Sequence, residues 1–197
     1  MTFPFRDKVT WTSGFDEPRP LWRVQKIAEL EAAGEHVEAE AERAKLHPHG
    51  AQDFACTPGT KIYAPEDGRA WYHIVYGTGT QNMYWGSGTW YAFSNYIFSV
   101  WGGLVCLEGK SGLTHVFAHI EPRVMHKYCD LSKPSRQGAL VSYVSIKALE
   151  CVREGELLAE TGNAGFSMGP HTHYEVHSGK DWTPHIDRVR PDELWSA

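Results

Sequence analysis

At 197 residues, with 42% apolar and 13% aromatic side chains, the chain is long enough to bury a core and reads as a single domain, 1–197. Its net charge of −5 withholds electrostatic support from nucleic-acid binding. No apolar run approaches the ~20 residues of a membrane span, and residues 1–7 lack the apolar core of a secretory signal.

Residues 1–15 read as an extended strand closed by Ser13-Gly14, and Pro18-Arg19-Pro20 then breaks the chain. Residues 21–45 have helical composition. Ile27, Leu30 and Ala33 recur at helical spacing, and Gly34 predicts an interruption into two helices. The charge and alanine of residues 35–45 predict a solvated face rather than a docking surface. From Lys61 onward strand signals dominate, at 61–64, 69–75, 91–100, 103–107, 114–119 and 171–177. The apolar run 96–107, interrupted by Gly102-Gly103, reads as a buried strand pair, and 139–149 as a strand followed by a short helix. Residues 77–88 read as a loop. Its Tyr84 and Trp85 are candidates for gripping substrate, with anchoring of the loop into the core as the competing role. Cys56, Cys106, Cys129 and Cys151 lack C-x-x-C spacing and read as free thiols of a reducing compartment.

Late in the chain, Gly169-Pro170-His171-Thr172-His173-Tyr174-Glu175 sets two histidines two residues apart, followed by an aromatic residue and a carboxylate. Side chains on a strand alternate, so His171, His173, Glu175 and His177 share one face. Histidine is the commonest metal ligand, and neighbours in register can share one ion. A solvated strand face in a chain with 11 His is the competing reading. Far upstream, His49 and Asp53 stand four apart across Gly50. A hydrolytic zinc site takes three N or O ligands from the protein and keeps a fourth position for water. His49, Asp53 and His173 make such a set, although His47-Pro48-His49-Gly50 alone is also ordinary turn chemistry. Between the two blocks, Thr114-His115-Val116-Phe117-Ala118-His119-Ile120 reads as a strand ending at His119. By the period of two, His115 and His119 share a face, and one of them is a candidate second imidazole.

Together these blocks resemble the lysostaphin-type, or LytM-type, zinc endopeptidases, which cut peptide cross-links in bacterial cell walls. The resemblance starts at Val9-Thr10-Trp11-Thr12-Ser13-Gly14-Phe15 and continues from His49 to Asp53 into Phe54-Ala55-Cys56-Thr57-Pro58-Gly59-Thr60. It takes in Ala64-Pro65-Glu66-Asp67-Gly68 and Ala118-His119-Ile120, and closes on Gly169-Pro170-His171-Thr172-His173. It covers residues 5–15, 47–70, 103–120 and 152–177. The fold it implies is β-rich (α+β by content), a mainly antiparallel β-sheet groove of the duplicated hybrid motif type. It also implies one zinc ion held by His49, Asp53 and His173, with His119 and His171 as the catalytic pair. Glu175 would orient an imidazole from behind, and peptidoglycan would be the substrate.

The chain also departs from that pattern. Residues 16–46 form a helical insertion, 71–102 are longer and more aromatic than usual, and 121–151 form another excursion, so substrate preference is not carried over. Ile120-Glu121 replaces the usual Leu-Ser, which keeps His115 beside His119 as a candidate near the substrate. A wall hydrolase without an export signal points to a phage protein. It would be made in the host cytoplasm and act at the wall as a lytic or tail-associated enzyme, alongside other tail proteins. The competing readings are a structural virion component, a non-catalytic wall-binding module on the same fold, and a zinc enzyme for another small substrate.

Overall fold

The computed structural model describes residues 1–14, 17–19, 21–77, 81–85, 89–93, 103–120, 135–137, 140–144, 150–164, 167, 169–179 and 188–195. The chain runs β1 (Thr10–Ser13), β2 (Pro18–Arg19), α1 (Leu21–Ala32), α2 (His36–Arg43), β3 (His47–Pro48), β4 (Gln52–Ala55), β5 (Lys61–Tyr63) and β6 (Gly68–Gly77). It continues through β7 (Gln81–Trp85), β8 (Thr89–Phe93), β9 (Gly103–Gly109), β10 (Leu113–Ile120), β11 (Ser135–Gln137) and β12 (Leu140–Val144). Then come β13 (Glu150–Val152), β14 (Leu157–Glu160), β15 (His171–Ser178), β16 (Arg188–Val189) and a 3-10 turn at Pro191–Leu194.

A 10-stranded sheet dominates, in the order β1-β4-β15-β10-β9-β6-β12-β11, with β13 also on β6 and β16 also on β15. Every strand pairing among the described residues is antiparallel. The β-rich fold with two helices is therefore the one the sequence led us to expect.

Alternation divides the sheet into two faces. Phe54, Phe117, Tyr174 and Val176 enter the main core, which Ile62 and Leu158 of the β5–β14 pair close from the other side. Phe117 stacks on Tyr174 with ring centroids 4.7 Å apart. Burying each such side chain stabilises the fold by about 1.5–3 kcal/mol. The opposite face carries a smaller cluster of Leu104, Cys106, Val116 and Ala118. Val116 is the register partner of Glu175, and Ala118 of His173, so this second face is also the one that bears the polar residues of β15.

The helices form a hairpin broken at Gly34, whose φ of +79° suits glycine. Glu42 of α2 accepts from Arg23 at 3.0 Å and Lys26 at 3.2 Å, while Ile27 and Ala39 are buried. The two-residue ribbon β2–β3 closes the base of the hairpin, pairing Pro18 with Pro48 and Arg19 with His47. No helix among the described residues is long and apolar enough to cross a membrane.

Some local expectations change. The loop expected at 77–88 contains β7, which pairs with β8 as a hairpin. The strand expected at 91–100 is described only to Phe93. Residues 121–134 and 145–149, with Cys129, lie outside the described residues. Cys56, Cys106 and Cys151 carry free thiols.

Candidate metal centre

Asp53 of β4 and His173 of β15 are direct register partners. Directly opposed residues project to the same face of a sheet, so pairing alone delivers a carboxylate and an imidazole to one point. His173 Nδ1 lies 3.0 Å from Asp53 Oδ1. His49 enters from the end of the β2–β3 ribbon, where its backbone N–H donates to the Glu17 carbonyl at 2.8 Å. Its Nε2 stands 3.4 Å from His173 Nδ1 and 3.5 Å from Asp53 Oδ1. The three donor atoms form a nearly equilateral triangle. A tetrahedral zinc with bonds of about 2.0–2.2 Å sets its ligands ~3.3–3.6 Å apart, so the triangle has the dimensions of one face of such a site. Among the described residues this is the cluster able to hold a metal ion.

The outer ring nitrogens are also engaged. His49 Nδ1 donates to the Gly14 carbonyl at 3.3 Å, and His173 Nε2 donates to Glu175 Oε1 at 3.1 Å. With those protons placed outward, the lone pairs of His49 Nε2 and His173 Nδ1 face the centre, which is the tautomer pair a cation requires.

Electrostatics point the same way. Burial alone would raise the Asp53 carboxyl, but the hydrogen bond from His173 together with the charges of His173, His49 and His171 outweighs it and holds the group at about 2. Burial alone would lower His173, but its bonds to Asp53 and Glu175 lift it to about 9. A proton lodges between two carboxylates when nothing else does, so this is a site for a positive charge.

Glu175 lies behind His173 and is fully buried. Its Oε2 accepts from His177 Nε2 at 2.8 Å and its Oε1 from Arg188 Nη2 at 3.2 Å. Burial opposes its ionisation, yet the bonds from His173 and His177 keep it well below the usual carboxylate range. With Glu175 and His177 at 0% and 1% exposure, the solvated-face reading of β15 fails.

His119 reaches the site through a β-bulge. Between Phe117 and Ile120, three steps of β10 span two of β9. His119 absorbs the extra residue at φ +62°, a left-handed conformation uncommon outside glycine. The bulge takes His119 out of alternation and turns it to the metal side. Its ring centroid lies 4.5 Å from that of His171 and 5.9 Å from that of His173. The expectation that His115 shares this face is corrected. His115 is fully buried on the core side, where Nδ1 accepts from Tyr174 Oη at 2.7 Å and Nε2 donates to Glu66 at 2.9 Å. It has no access to a substrate.

His119 Nδ1 donates to the Ala164 carbonyl at 2.7 Å, and His171 Nδ1 to the Gly169 carbonyl at 2.8 Å. Ser167 Oγ also stands 2.9 Å from His171 Nδ1. Each neutral ring therefore carries its lone pair on Nε2. Burial, reinforced by the neighbouring His171 and His173, pushes His119 down to about 3, so it is neutral at physiological pH. Tyr84 and Trp85 belong to β7, and their side chains lie outside the described residues. Ser167, Arg188 and the carbonyls of Gly14 and Ala164 join the site without having been anticipated. Gly14, Ala164 and Ser167 stood in segments already singled out, whereas Arg188 stood in none.

No family model matches the sequence. One curated relative is described as an uncharacterized metalloprotease of Haemophilus influenzae, 26% identical over 133 residues. The match takes in 68% of this chain but spans only 19% of that protein's length. Among solved structures, the chain is similar to the catalytic domain of the antimicrobial peptidase lysostaphin from Staphylococcus simulans. That likeness has a TM-score of 0.44 and 18% identity, covering 75% of this chain and 78% of the other. It is also similar to a catalytic domain of the prophage-encoded M23 protein EnpA from Enterococcus faecalis, with a TM-score of 0.48 and 18% identity over 97% and 95% of the two chains. A third likeness is to a zinc-containing peptidase from Vibrio cholerae, with a TM-score of 0.47 and 19% identity over 88% of this chain and 35% of that one.

Proposed function

We infer that this protein is a zinc-dependent endopeptidase that hydrolyses peptide cross-links of bacterial peptidoglycan. The observation that carries the reading is the triangle of His49 Nε2, Asp53 Oδ1 and His173 Nδ1, flanked by two further imidazoles whose Nδ1 atoms are committed to backbone carbonyls. The Gly-Pro-His-x-His block supports the substrate class, and the description of the curated relative as a metalloprotease agrees with the reaction class.

In this reading His49, Asp53 and His173 hold the ion. Bound there, zinc supplies Lewis acidity that makes water acidic near neutral pH and polarises the scissile carbonyl. His171, anchored by the Gly169 carbonyl, presents Nε2 as acceptor for the proton of the attacking water. Once protonated, the same nitrogen donates to the leaving amine. His119 is kept neutral by burial and has its Nδ1–H committed to Ala164, so at Nε2 it can only accept. It therefore suits orientation of the attacking water beside His171. Glu175 keeps His173 in the ligand tautomer.

The test is digestion of purified peptidoglycan by zinc-loaded protein, with muropeptides identified by mass spectrometry. New free amino termini that vanish after chelation and return with zinc are expected. Intact muropeptides after incubation with zinc-loaded protein would overturn the reading, and walls bound but uncut would identify a non-catalytic module. We extend the reading to a phage setting, as a lytic or tail-associated enzyme, tested by searching purified virions for the chain.

A further inference from the structure

We propose that Arg188 is a positioning residue for the metal centre, a partly buried cation that ties the His49 segment to the strand bearing His173. This deepens the reading of the site as a metal centre and is independent of what is hydrolysed.

Strand topology brings Arg188 there. Residues 171–174 of β15 pair with β4, and residues 176–177 pair with β16. β10 occupies the opposite edge of β15, so β4 and β16 lie end to end along one seam. Arg188 is the register partner of His177, which puts its side chain on the face of Glu175 and His173.

Two contacts then define its place. Arg188 Nη2 lies 3.2 Å from Glu175 Oε1, the same oxygen that accepts from His173 Nε2. The rest of the side chain fills the space beside Gly50, where a Cβ would collide with Arg188 Nη1, Cζ and Cδ. Gly50 directly follows His49. One guanidinium thus packs against the backbone that carries one imidazole and bonds the carboxylate that orients the other.

The physical need is plain. Glu175 is fully buried, and a buried carboxylate requires charged or multiple donors. Among the described donors to Glu175, Arg188 is the one whose side chain cannot give up its proton. With Glu175 pinned, the His173 ring is fixed and its Nδ1 is aimed at the centre. With Arg188 filling the space at Gly50, the His49 turn is held at the same spacing.

The experiment measures zinc affinity of the full chain by competition with a chromophoric chelator, and records the visible spectrum of the cobalt-substituted protein. R188M is expected to bind zinc ~10–100-fold more weakly and to change the cobalt spectrum. G50A keeps both charges but evicts the arginine, and should shift affinity in the same direction. R188K, which restores charge without the planar fork, should recover part of the loss. In an E175Q background, R188M should cost less than it does alone, because only the packing at Gly50 is left to lose. Unchanged zinc affinity in both R188M and G50A would overturn the proposal, as would a full additional loss in the E175Q background. A merely structural role would lower the melting temperature of the chelated protein and leave affinity and cobalt spectrum alone. Should R188M fail to fold, G50A and R188K decide the matter. Arginine-dependent zinc binding without wall cleavage would leave this inference standing and overturn the peptidoglycan reading. Wall cleavage with arginine-independent zinc binding would do the reverse.

Discussion

Asp53 and His173 face each other across β4 and β15 as register partners, with Oδ1 and Nδ1 3.0 Å apart. The sheet itself sets this distance, so the pair is preformed rather than assembled by an ion. Replacing Asp53 with Ala should leave the fold intact, because its neighbour Phe54 supplies the core contact on the other face. Zinc affinity should fall at least ~100-fold. Chelator competition beside a thermal melt checks both halves of this expectation.

Proton and metal compete for the same nitrogen. His173 is raised to about 9 by its two carboxylate neighbours, against burial. The sign follows directly. Below that pH the metal-free site holds a proton that zinc must displace, whereas Asp53, held at about 2, is already ionised. Through His173, apparent zinc affinity should weaken about tenfold for each unit of pH below ~9. Calorimetry in buffers of different ionisation enthalpy would count the released proton. Affinity flat between pH 6 and 8 would refute the coupling.

The bulge at His119 separates conformation from chemistry. Its φ of +62° suits glycine better than any residue with a Cβ. His119→Gly should therefore retain the bulge, the melting temperature and the zinc content while activity falls ~10²-fold or more. His119→Val, β-branched at a left-handed position, should lose stability as well, by about 1–3 kcal/mol. Calorimetry, metal analysis and a wall-digestion assay would separate the two variants.

Acid stability should report on the core side of the same sheet. Burial would raise Glu66, but hydrogen bonds from His115 and Ser111 outweigh it and bring the carboxyl to about 2 from its ordinary 4.5. A depressed carboxylate stabilises the fold above its unfolded pKa, and that contribution fades as pH drops from about 4.5 toward 2. Glu66→Gln should cost about 1–3 kcal/mol at neutral pH and show a shallower decline over that interval. Urea titrations at stepped pH values would measure both slopes.

The polar face of β15 was legible because a period of two depends on nothing outside the strand. The grouping of His49 and Asp53 with His173 was legible only through the motif, since their meeting depends on β4 pairing with β15. His119 shows where alternation fails. One inserted residue reversed its face relative to His115, and no residue type in 114–120 announces a bulge. The burial of Glu175 and His177 was equally hidden, because the charge beside them comes from Arg188 on a later strand with no motif around it. At 77–88, flanking glycines and threonines obscured the short strand β7.

The ribbon joining Pro18 to Pro48 has a consequence for how this protein can vary. It anchors a helical appendage at a fixed root, one residue before His49. Lengthening, shortening or redecorating the tip of that appendage leaves the root geometry untouched. The sequence at the far end of the hairpin can therefore drift while the geometry at its base stays constant.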